Sequence, residues 1–140
     1  MTADQEIRTV TPFPLAMVVC DSIYRDPYTG KFTLIGTFST ISANQFPVRH
    51  PHLFVYAALT GGRGKIPLRV EVVDTDESEI LAKLTGEVDN RNDPRAIQEL
   101  AFGFAGLVFP KQGEYRIALY ANNEFMVERR LLVFNPQDQS

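Results

Sequence analysis

The run from Phe109 to Phe125 constrains the fold more than any other part of the chain. Pro110 and Gly113 bracket a four-residue turn, after which Tyr115, Ile117 and Leu119 point one way and Glu114, Arg116 and Ala118 the other. That period of two is the signature of a strand with one dry face and one wet face. Asn122-Asn123 comes next, and Asn tolerates the positive φ that a two-residue primed turn imposes at both of its central positions. Local backbone chemistry and apolar pattern therefore agree on turn, strand, hairpin and returning strand.

The same grammar recurs along the chain. Strands are predicted over residues 15–24, 32–43, 53–60, 66–74, 79–88, 97–108, 114–121 and 125–134, and no segment reads as a helix. Ile66, Leu68, Val70 and Val72 alternate with Arg69 and Glu71, and Ile80, Ala82, Leu84 and Val88 with Lys83, Thr85 and Glu87. Ala16 to Cys20 and Leu53 to Leu59 are apolar at nearly every position, which predicts central strands whose side chains are covered on both faces or lie near the sandwich ends. Short strands at this spacing specify an all-β protein, an antiparallel immunoglobulin-like Greek-key sandwich of seven to nine strands. The expected organisation is an extended or flexible arm over residues 1–12, the sandwich over 13–135 and a tail over 136–140.

Size and composition fit one domain with its own core. The 140 residues are 44% hydrophobic, with ten Phe, five Tyr and no Trp, an aromatic bias that suits packed pleated surfaces. Cys20 is the only cysteine, so no intrachain disulfide forms; within an apolar strand it reads as an inert buried thiol, and a reducing, cytoplasmic setting is expected. Fourteen basic against 17 acidic residues give a net charge of -3, which provides no global attraction to nucleic acid. No run approaches the ~20 apolar residues of a membrane-spanning helix.

In order along the chain, Cys20-Asp21 with Thr29-Gly30-Lys31, Leu34 to Phe38, Phe46-Pro47 with His50-Pro51, Leu59 to Gly62, and Phe109-Pro110 with Gly113-Glu114-Tyr115 resemble a family of small bacterial β-sandwich proteins known as a domain of unknown function. The resemblance spans residues 13 to 134. It implies a sandwich fold and a bacterial source, and it carries no catalytic residue with it.

Candidate chemistry is sparse. His50-Pro51-His52 places two imidazoles near a strand start, a pattern that in some β-barrels shares a metal ion, but no carboxylate follows from Phe54 to Thr60 and the chain has no third histidine. Asp74, Asp76, Glu77 and Glu79 cluster oxygen donors that could recruit calcium; a hairpin of small polar residues explains the same letters. Gly61-Gly62-Arg63-Gly64-Lys65 lacks the spacing and the following helix of a phosphate loop and reads as a flexible hairpin. Tyr115, at the start of its strand just after Gly113, sits where sandwiches place a tyrosine whose hydroxyl ties back to upstream backbone. Gly113, Asn122 and Asn123 are the accompanying structural turn residues. No cofactor is expected.

One strand hints at surface use. Leu100, Phe102, Phe104 and Val108 alternate with Ala101, Gly103 and Ala105, so a bulky face backs onto a nearly bare one that would admit another backbone or subunit. The resulting expectation is a non-catalytic protein-binding or scaffolding module that engages another protein or itself through a sheet face or through end loops at 26–31, 44–52, 61–65 and 89–95. The alternative is a small-molecule or carbohydrate-binding sandwich with calcium as its ion, built around exposed aromatics such as Tyr56 or Tyr120.

Overall fold

Nine strands form two packed sheets in a computed structural model that describes residues 9–91 and 93–138. They are β1 (Phe13–Arg25), β2 (Phe32–Thr37), β3 (Thr40–Ser42), β4 (Val48–Thr60), β5 (Lys65–Asp74), β6 (Glu79–Asp89), β7 (Ile97–Phe109), β8 (Gly113–Ala121) and β9 (Glu124–Phe134). One sheet has the order β2-β1-β4-β7 and the other β3-β9-β8-β5-β6. Every pairing is antiparallel except β3 with β9. Setting β1, β4 and β7 against strands A, B and E, and β5, β8 and β9 against C, F and G, reproduces the connectivity of an immunoglobulin-like sandwich. β2 is an added edge strand, and β6 lies beside β5.

The core lies between the sheets. Met17, Val19, Leu53, Val55, Ala57 and Leu59 from the four-stranded sheet meet Ile66, Leu68, Val70, Val72, Ile117 and Leu119 from the five-stranded one. Phe109 and Tyr115 close one end edge to face, with ring centroids 4.9 Å apart, a geometry that suits the ring quadrupoles. The Asn122-Asn123 turn has φ of 54° and 63°, the backbone that a primed hairpin requires.

Several expectations change in the structure. Residues 32–43 are two strands in different sheets: the Phe38 N–H donates to the Val19 carbonyl of β1, while the Ser39 carbonyl accepts from Leu132 of β9, so the chain is handed from one sheet to the other. β4 begins at Val48, which moves His50-Pro51-His52 out of a loop and into a strand. Ile80 is exposed and Leu81 packs against the core, because the register slips between Val72 and Val73 and a one-residue slip exchanges faces. β1 and β4 are central strands as expected, but the second sheet covers only one of their faces.

Of the N-terminal segment, residues 1–8 lie outside the described residues. Val10 bridges to Arg63, with N–H to carbonyl distances of 3.0 and 3.1 Å, and Pro12 is buried, so this part of the expected arm is pinned to the domain. Among the described tail residues, Pro136–Asp138 form a short 3-10 turn. Among the described residues no helix is long and apolar enough to cross a membrane.

Candidate functional site

The outer faces of the two sheets differ in chemistry. On the five-stranded sheet, Arg69–Glu71 (2.7 Å), Arg116–Glu128 (3.6 Å) and Arg130–Glu114 (3.2 Å) are ion pairs. On the four-stranded sheet, register sets Ala16, Ala58 and Glu99 in one outward row, Val18, Tyr56 and Ala101 in the next, and Cys20, Phe54 and Gly103 in a third. Glu99 is the single ionisable carboxylate in those rows, and it accepts a short hydrogen bond from the Tyr56 hydroxyl. Burial first, then that bond and the carboxylate charge, push the Tyr56 phenol up to about 12. Phe32 packs edge to face on Tyr56 with centroids 5.7 Å apart, and Arg25 lies over the Phe32 ring at 5.1 Å.

Gly103 explains the bare stripe on β7. A Cβ there would sit 2.7 Å from the Phe54 ring, so the glycine makes room for an aromatic side chain from the neighbouring strand. Cys20, outside the core cluster, is nevertheless fully buried on this face, and burial raises its thiol pKa above the ordinary value. Phe13 (56% exposed), Leu15 (51%) and Ile97 (62%) bring further apolar surface to strands of the same sheet.

The residues singled out from sequence for ion binding are separated or already engaged. His50 pairs in register with buried Leu107 and packs on Phe38, whereas His52 pairs with exposed Ala105; the two imidazoles lie on opposite sides of β4. Asp74 is 2% exposed and its Oδ1 accepts from the Asp76 and Glu77 N–H groups. Glu77 pairs with Lys111 at 2.9 Å, and Asp74 Oδ2 lies 3.8 Å from the same ammonium. The Glu77 bond is the main reason the Lys111 pKa is raised. Among the described residues no group of three metal-ligating side chains converges.

The structural residues sit at the two ends. Tyr115 is fully buried and its hydroxyl donates to the Lys111 carbonyl at 2.6 Å, across the turn that Gly113 closes. At the other end, Gly61 donates to the Pro94 carbonyl, Gly64 to Asn90 Oδ1, and Asn122 Nδ2 to Thr11 Oγ1. This end is stitched rather than the flexible hairpin expected at 61–65: a Cβ on Gly62 would strike Ile66 and Pro12. The aromatic side chains nominated for ligand stacking are engaged too, with Tyr56 bound to Glu99 and the Arg69 guanidinium 4.2 Å over the Tyr120 ring.

Sequence reasoning missed the outward rows of β1 and β4. Their unbroken apolar runs were the available signal, read as burial on both sides.

The comparisons with known proteins bear on the whole domain. Residues 15–134 match DUF6941, described as a family of unknown function. The chain belongs to that family. No curated protein matches. A solved CARDB domain of the PF1109 protein from Pyrococcus furiosus, in complex with di-metal ions, is 16% identical over 87% of this chain and 90% of that one, at a TM-score of 0.39.

Proposed function

We propose that the domain is a non-catalytic protein-binding or scaffolding module that docks its partner on the outer face of the four-stranded sheet. One observation carries the reading: three outward rows on β1, β4 and β7 hold a single carboxylate, already bonded to Tyr56, while the opposite sheet turns ion pairs to solvent. Outward apolar side chains, partly exposed at Val18, Phe54 and Tyr56 and open at Ala101 and Gly103, with aromatic anchors among them, suit a protein contact. A cytoplasmic setting accompanies the reading, since the only thiol has no partner for a disulfide within the chain.

The test is capture from the source cells with the full chain as bait. A stoichiometric partner is expected with wild type, lost with Val18→Arg or Ala101→Arg, and kept with Arg63→Ala at the stitched end. A partner retained by both sheet variants would refute the reading.

A further inference from the structure

The four-stranded sheet ends on one side at β7, and this edge is unlike the others. A sheet edge offers a row of open N–H and C=O groups, and proteins normally blunt it with shortness, charge, proline or bulges. β3 has three residues, and β2 has six with Gly36 at a positive φ of 69°. β6 carries Glu79, Lys83, Glu87 and Asp89, and the part of β9 beyond β3 carries Glu124, Glu128, Arg129 and Arg130. β7 is thirteen residues long, pairs among the described residues only with β4, and contains Glu99 as its sole charge with no proline; its one break is Gly106 at a positive φ of 67°, which leaves residues 97–105 as an uninterrupted edge. Its midpoint by residue number is Gly103.

Charge marks what fits there. The Arg49 guanidinium lies across Gly106, 2.7 Å from where a Cβ would stand, and Arg49 has no ion-pair partner among the described residues. Arg49 pairs in register with exposed Val108, so it shares the outward face with Glu99. In an antiparallel pair of β7 strands related by a two-fold axis at Gly103, residue 101 faces 105, and the regular ladder ends at Gly106, where the strand changes face and Leu107 turns into the core. Each Glu99 then arrives beside the Arg49 guanidinium that lies over the other copy's Gly106, with the two β7 backbones about 4.8 Å apart. Ala101 and Ala105 face each other across the axis and leave the backbones free to approach. A two-fold contact must be self-complementary, and this edge meets that condition in shape and in charge.

We propose that two copies of this chain pair antiparallel through their β7 edges, joining the four-stranded sheets into one continuous eight-stranded sheet held by Arg49–Glu99 contacts across the axis. The contact extends the proposed docking face without depending on it, because it needs no other protein.

Sedimentation equilibrium of the purified full chain, from low to high micromolar concentration, tests the pairing. Dimers are expected for wild type, and monomers for Ala105→Lys with an unchanged circular dichroism spectrum. Arg49→Glu and Glu99→Arg should each weaken the dimer at least tenfold, and the double exchange should restore it. Alternate amides of residues 97–105 should gain hydrogen-exchange protection as the dimer forms. A protein that stays monomeric throughout, or a dimer indifferent to Ala105→Lys and to the charge exchange, would overturn the proposal. Monomers that still capture a partner would leave the proposed function standing, so the two failures are distinguishable.

Discussion

Tyr56 and Tyr115 show how differently one residue type is used in this sandwich. Tyr115 is fully buried and its hydroxyl spends its proton on the Lys111 carbonyl, so Tyr115→Phe removes one hydrogen bond while keeping the ring. The expected loss is about 1 kcal/mol, read as a lower urea midpoint at unchanged slope. Tyr56 instead donates its hydroxyl hydrogen bond to Glu99 at the surface. Its pKa of about 12 lies above the unfolded value near 10, so the folded state holds this proton more tightly. The associated stability is whole below pH ~10 and is lost as pH rises toward about 12. A spectrophotometric titration should find Tyr56 and Tyr115 both ionising late, since burial raises the Tyr115 phenol as well; Glu99→Gln should bring down only the step that Tyr56→Phe abolishes, and that step unchanged in Glu99→Gln would remove Glu99 as a cause.

Among the elements, β8 and its hairpin were the most legible, because alternation, turn residues and capping tyrosine all act over a few neighbouring positions. Tyr115, Ile117 and Leu119 face inward as the pattern requires, and Asn122-Asn123 make the turn. What the sequence concealed depends on distant partners. The division of residues 32–43 needs Val19 and Leu132 to accept the chain at Phe38 and Ser39, and neither lies nearby in sequence. Apolar outward rows look the same as a buried strand when read along one strand. For β7, the bare stripe was visible, but its filling by Phe54 was not. Gly106 has a φ of 67° and lies beneath Arg49, so Gly106→Ala imposes left-handed backbone on a residue with a Cβ. A cost of about 1–2 kcal/mol is expected, measured as a lower melting temperature; Ala101→Ser on the same strand should leave it nearly unchanged.

For the molecule as a whole, stability rests on one interior shared by two sheets. Leu53 is fully buried there, and Leu53→Ala should cost about 2–5 kcal/mol by denaturant unfolding. Most strand neighbours are distant in sequence, as β4 with β7 and β5 with β8 illustrate. Folding should therefore fall in the range of milliseconds to seconds, seen by stopped-flow fluorescence of the tyrosines. The stitched end adds an order of events. Thr11 waits for Asn122, 111 residues downstream, so during synthesis that seam stays open until β8 and the turn after it have cleared the ribosome. A nascent chain halted before β8 would have begun its sheets with the closing knot still untied, exposed to whatever crowds the exit tunnel.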